Sequence, residues 1–135
     1  MPLIVKNPYL DVFERWRAIM EPLVGEGNLS MEQSSTIAND KTKYAQMYMA
    51  SNTTASKDLE GDETSTQISF QTDVFASGSK ALSKVYTLDD ASKQAMIDMG
   101  FRCDYSSLIQ NVDSAFKRVT SRYSMTYCGS LLDES

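Results

Sequence analysis

An α+β fold, with a small mostly antiparallel sheet packed by two helices in the order helix-strand-strand-helix-strand and a long hairpin loop, is predicted by four stretches of hydrophobic periodicity. Residues 8–24 repeat apolar side chains at helical spacing, and residues 67–76 alternate apolar with polar. A second helical stretch stops at Gly100-Phe101-Arg102, and alternation returns through Arg122-Tyr123-Ser124-Met125-Thr126-Tyr127. A 3.6-residue period buries one stripe of a helix and a two-residue period one face of a strand, so both kinds of element must share a core. The 135 residues suit one domain, 1–135, burying roughly two thirds of the surface its unfolded form exposes. With 41% hydrophobic and 23% charged residues, chain-wide disorder is excluded.

The opening Met1-Pro2-Leu3-Ile4-Val5-Lys6-Asn7 has no basic n-region and no long apolar run, so no signal peptide is expected. No segment approaches a membrane span, and synthesis in a cytoplasm is the expectation. Tyr9, Val12, Phe13, Trp16, Met20 and Leu23 share one helical face, away from Asp11, Glu14, Arg15 and Arg17. Asn7 suits the N-cap, Pro8 the first helical position, and Gly25 with Gly27 the stop. Residues 28–40, rich in Ser, Thr, Asn and Gln, fit an edge strand or a loop equally. Residues 43–50 alternate, with Tyr44, Gln46 and Tyr48 opposite Ala45, Met47 and Met49, and predict a strand.

Residues 51–63 combine Asn52, Thr residues, Gly61 and the acids Asp58, Glu60, Asp62 and Glu63, which predicts a long solvated hairpin loop. Such a loop serves either as a contact element or as a mobile connector. Ile68, Phe70, Thr72 and Val74 then oppose Gln67, Ser69, Gln71 and Asp73 in a second strand over 66–76. Phe75 falls on the polar side, where it either covers a second surface or anchors a partner. Leu82, Val85, Leu88, Ala95, Met96 and Met99 predict a helix over 80–99 that Gly100 ends, with Thr87-Leu88-Asp89-Asp90 as a possible fresh start. Residues 101–113 read as an irregular connector, and Val119, Ser121, Tyr123, Met125 and Tyr127 share a face of a last strand over 117–128. The acidic tail 129–135 is expected to be loosely ordered.

A net charge of −5 argues against a phosphate-binding surface, although an acidic wall lets DNA pass without sticking. The absence of histidine excludes Ser-His-Asp, Cys-His and histidine-bearing metal sites. Acids cluster at 58–63 and at Asp89-Asp90, neither in an apolar setting that raises a carboxyl pKa. Asp58-Leu59-Glu60-Gly61-Asp62-Glu63 lacks the ligand spacing of a calcium loop, and Gly78 stands without a P-loop or dinucleotide pattern. Cys103, expected in a loop, has only Arg102 and Asp104 beside it, and Cys128 is expected buried at a strand end; both read as reduced thiols. Arg102 and Arg122 read as ion-pairing residues at the sheet margin, Arg122 beside Thr120 and Ser124. No enzyme activity, cofactor or metal is implied.

The string Ile68-Ser69-Phe70-Gln71-Thr72-Asp73-Val74-Phe75-Ala76, followed by Gly78 and a helix, resembles the tail terminator and tail-completion proteins of long-tailed, siphophage-type bacteriophages. So do Met96-Ile97-Asp98-Met99-Gly100-Phe101-Arg102, Asn111-Val112-Asp113, Arg122-Tyr123, the strand at 44–48 and the Asp58-Leu59-Glu60-Gly61 loop. The similarity spans residues 43–127; the first forty residues match only in an opening helix, and 28–40 and the tail have no counterpart. The resemblance implies a structural virion protein whose copies form a ring, commonly a hexamer, at the head-proximal end of the tail tube. Such a ring ends polymerisation of the major tail tube protein and docks the head-tail connector or head-completion protein. It implies assembly in the host cytoplasm, no membrane, and DNA passing through a partly acid-lined lumen without specific binding. Asp58, Leu59, Glu60, Asp62, Glu63, Phe75, Arg102 and Arg122 are the interface residues expected on this reading. A head-completion or other neck connector on the portal side is the alternative within this class. Outside it stands a small enzyme or ligand-binding domain with an enclosed pocket.

Overall fold

The computed structural model describes residues 7–25, 27–31, 43–57, 63–109 and 116–128. Its elements are α1 (Tyr9–Val24), β1 (Leu29–Ser30), β2 (Lys43–Lys57), β3 (Glu63–Ser77), α2 (Ala81–Asp98), β4 (Arg102–Ile109) and β5 (Phe116–Tyr127). One five-stranded sheet has the order β1-β2-β3-β5-β4. β1 pairs parallel with β2 and the other neighbours are antiparallel, so the class is α+β but the sheet is mixed.

Local chemistry sets the boundaries of α1. Asn7 Oδ1 accepts the Tyr9 amide hydrogen at 2.9 Å, while Pro8 stands just before the helix instead of within it. At the other end Gly25 takes φ 101°, and Asn28 Nδ2 donates to the Val24 carbonyl at 2.7 Å. α2 runs unbroken through Thr87, whose hydroxyl donates to the Ser83 carbonyl at 2.9 Å and so fits the helix interior. It closes in a Schellman motif: the Phe101 amide reaches the Met96 carbonyl at 3.1 Å and the Gly100 amide reaches Ile97 at 2.9 Å. Gly100 takes the required left-handed turn at φ 106°, which swings Phe101 into the core and sets the start of β4.

Two expectations are corrected and one open alternative is resolved in part. Residues 102–109 form β4 in place of an irregular connector; most of its side chains are exposed, so neither face alternates and the two-residue signal is missing. Much of the expected 51–63 loop is strand, because β2 continues to Lys57 and β3 begins at Glu63. Polar Ser, Thr and Asn side chains suit a ribbon with little buried surface, and Ser51 and Ser69 share a 2.7 Å hydroxyl hydrogen bond across it. Of the undecided stretch 28–40, Leu29 and Ser30 form the short edge strand, and 32–40 lies outside the described residues.

Strand register places Ala45, Val74 and Val119 in one row, Met47, Thr72 and Ser121 in the next, and Met49, Phe70 and Tyr123 in a third. Both helices cover this face, supplying Val12, Phe13, Trp16, Met20 and Val24 from α1 and Val85, Leu88, Ala95 and Met96 from α2. Trp16 is fully buried and its Nε1 donates to Ser92 Oγ at 2.9 Å, which ties α1 to α2. Phe70 is met edge-on by Tyr9 at 5.6 Å and by Phe101 at 5.5 Å between ring centroids. Among the described residues no helix is long and apolar enough to cross a membrane.

Candidate functional site

The face of the sheet turned away from the helices carries the polar half of each alternating strand. Register aligns Gln46, Asp73 and Thr120 in its central row, Tyr44, Phe75 and Arg118 in one flanking row, and Tyr48, Gln71 and Arg122 in the other. Tyr105 of β4 stands beside Arg122, and Arg102 stands beside Ser124. Three strands distant in sequence thus build one surface.

Asp73 is the hub. Its side chain is 0% exposed and accepts from Gln46 Nε2 at 2.8 Å, Thr120 Oγ1 at 2.6 Å and Arg118 Nη2 at 3.1 Å. A buried carboxylate is tolerated only with such a full set of donors. The Arg118 guanidinium also lies 5.6 Å from the Phe75 ring centroid. Phe75 meets Tyr44 at 6.1 Å and Phe116 at 6.4 Å, both edge-on. Phe75 is therefore buried in an aromatic row, the first of its two expected roles, and is not an exposed anchor.

In the other flanking row Arg122 Nη2 donates to Gln71 Oε1 at 2.9 Å, and Arg122 has no carboxylate partner among the described residues. Burial, and next the Asp73 charge, hold the Tyr48 hydroxyl above its ordinary pKa, against the opposing pull of Arg118 and Arg122. Tyr105 is 46% exposed. Arg102 pairs with Asp104 at 3.3 Å, and Asp104 also accepts from Ser124 Oγ at 3.1 Å. That ion pair is solvated and adds little stability. The margin role read for Arg102 fits, whereas Arg122 sits inside the face and pairs with an amide.

Arg102 and Arg122 are brought to one face. Asp58, Leu59, Glu60 and Asp62 lie outside the described residues, and Glu63 opens β3 eight positions before Gln71, the partner of Arg122. At about 3.3 Å per residue that is a separation of roughly 26 Å along the strand. Cys103 lies in β4 instead of a loop, with its Sγ 3.7 Å from Ser106 Oγ, and Cys128 is exposed instead of buried; both are free thiols.

One polar group escaped the sequence reading. Asp89, expected in no apolar setting, is 3% exposed under the sheet and accepts from Ser121 Oγ at 2.7 Å. Burial pushes its carboxyl above the ordinary value, opposed by the Ser121 hydrogen bond and by Lys93. Burial, and next the Asp89 charge, likewise push the neighbouring Tyr123 hydroxyl up. The signal was available: Val85, Leu88, Asp89, Ser92 and Met96 all fall on the helical stripe that meets the sheet. Ser121 and Tyr123 are fully buried beside Asp89, so no substrate reaches this cluster.

Among the described residues no group of three His, Cys, Asp or Glu side chains is placed to hold a metal ion. Compared with known proteins, the chain matches no protein-family model and no curated protein sequence.

Proposed function

We propose that this chain is a non-catalytic assembly protein of a bacteriophage tail, whose copies form a ring, with six the expected number, at the head-proximal end of the tail tube. The ring ends polymerisation of the major tail tube protein and offers a docking surface to the head-tail connector or head-completion protein. The observation that carries this reading is the β2–β3 ribbon. Each strand runs 15 residues, and they pair out to Lys57 and Glu63, beyond the Thr66–Tyr127 pair where β5 ends. A two-stranded ribbon projecting past its sheet has too little core to be stable alone, and a neighbouring subunit supplies the missing surface.

The far face of the sheet supports the same reading. Arg and Tyr side chains are enriched at protein interfaces, and the Asp73 network holds Arg118 in place beside them. The net charge of −5 keeps DNA from adhering as it passes through the lumen. The resemblance over residues 43–127 supplies the station in the virion, reached from the host cytoplasm.

The test is genetic and visual: infected cells lacking this chain are expected to accumulate headless tails with tubes of uncontrolled length, and its resupply should restore joined particles. Tails of normal length joined to heads in its absence would refute the proposal. Recovery with filled heads but never with the major tail tube protein would move the chain to the portal side of the neck.

A further inference from the structure

The end of the molecule opposite the ribbon tip carries a basic cleft. Leu23 at the end of α1, Lys43 at the start of β2, and Lys80, Ser83, Lys84, Thr87 and Leu88 around the start of α2 line about 210 Å³. Three lysines line it on a chain of net charge −5, and none of the three has a carboxylate partner among the described residues. Lys43 Nζ donates to the Leu23 carbonyl at 3.5 Å. The first turn of α2 has neither a side-chain cap nor an acidic residue, so the positive end of its dipole adds to the same field. Leu23 is 39% exposed at the cleft and Leu88 is buried beneath it, so one accessible apolar side chain lies among the cations.

Lys80 carries a second, independent signal. It is the one described non-glycine residue with positive φ, at 60°, where an L-residue costs on the order of 1 kcal/mol and Gly or Asn fits more easily. Strain held at a lysine on the rim of a cationic cleft points to a use for its charge.

The chemistry that fits is one apolar side chain flanked by carboxylates. Asp58-Leu59-Glu60-Gly61-Asp62 has that pattern, and it joins Lys57 to Glu63 at the end of the ribbon. β2 starts at Lys43 beside the cleft and ends at Lys57, a run of roughly 46 Å at about 3.3 Å per residue, so the strand end from which that segment departs is far from the cleft of its own chain. We propose that the cleft formed by Lys43, Lys80 and Lys84 receives the acidic 58–62 segment of a second copy, with Leu59 against Leu23. Two different patches at opposite ends make a head-to-tail contact, the kind that closes into a ring. The inference deepens the ring reading by naming its subunit contact and rests on that reading for its biological setting. Its test is self-association, which is separable from where the ring sits.

Full-length protein is examined by analytical ultracentrifugation up to about 1 mM, at low and high salt. Association that weakens with salt is expected. Reversing the cleft with Lys43→Glu and Lys84→Glu, or the tip with Asp58→Lys, Glu60→Lys and Asp62→Lys, should each weaken it at least about tenfold with circular dichroism unchanged. Mixing the two reversed proteins should restore it, since each tip again faces a cleft of opposite charge. Lys80→Asn should weaken association while the melting temperature rises or holds, an outcome a purely structural lysine does not give. No salt-dependent association, or reversed proteins that associate like the parent or fail to rescue one another, overturns the proposal. So does loss of association on removing 129–135, with its Leu131-Leu132-Asp133-Glu134, if tip reversal has no effect.

Discussion

Replacing Asp73 with Ala tests whether the far face is held by one carboxylate. Asp73 accepts from Gln46, Thr120 and Arg118 at 2.8, 2.6 and 3.1 Å, and its removal leaves all three donors without that acceptor. Breaking a buried ion pair from one side costs about 3–5 kcal/mol. The Arg118 side chain is 25% exposed and can turn toward water, which favours the lower end of that range. Gln46 is fully buried and loses its 2.8 Å bond to the carboxylate, which adds about 1 kcal/mol. The expected loss is about 3–4 kcal/mol, a large share of the roughly 5–15 kcal/mol that stabilises a domain. In urea, with a slope of about 1.5 kcal/mol/M, the midpoint should fall by about 2–2.7 M at unchanged slope. Asp73→Asn keeps an acceptor oxygen and should lose about half as much. Arg118→Ala added to Asp73→Ala should cost little further, because the guanidinium has already lost its acceptor. A midpoint for Asp73→Ala within about 0.7 M of the parent would refute the hub.

Trp16→Phe gives up the bond to Ser92 and part of a fully buried ring system, and should destabilise by about 1–2 kcal/mol in denaturant melts followed by circular dichroism. Gly100→Ala forces a side chain into φ 106° at the end of α2 and should cost about 1 kcal/mol or more, read as a lower melting temperature. Because burial raises the Asp89 carboxyl pKa, the folded protein keeps that proton to higher pH than the unfolded chain, whose reference value is 3.8. Its contribution is therefore full below that value and is lost as pH rises through the folded value. Asp89→Asn can still accept from Ser121 without a charge to bury, so it should flatten this decline as pH rises above the unfolded value, and a slope equal to the parent's would refute the assignment.

How far the sequence could be read depended on whether each element buries one face. Val12, Trp16 and Met20 at helical spacing, and Ile68, Phe70 and Val74 at strand spacing, announce α1 and β3 because the opposite positions meet water or polar neighbours. β4 buries neither face fully, so Tyr105, Ser106 and Ser107 look like a loop although their backbones pair with β5. The same blindness cut β2 short at its Ser, Thr and Asn residues. For the far face, alternation showed that Gln46, Asp73 and Thr120 are on the polar side. That they meet depends on the register of strands 27 and 47 residues apart, which no local pattern encodes. Asp89 shows the reverse case: its position on the buried stripe was visible, but its acidic character outweighed its spacing.

The end of the ribbon can be tested apart from its sequence. Removing 56–57 and 63–64 shortens β2 and β3 by two residues each and leaves the body, whose pairing with β5 begins at Thr66, so the protein should melt within about 1 kcal/mol of the parent. A subunit contact made at the ribbon end needs the reach of these strands, so the shortened protein should associate more weakly than the parent in ultracentrifugation. Equal association of the two would mean that the ribbon end takes no part in it.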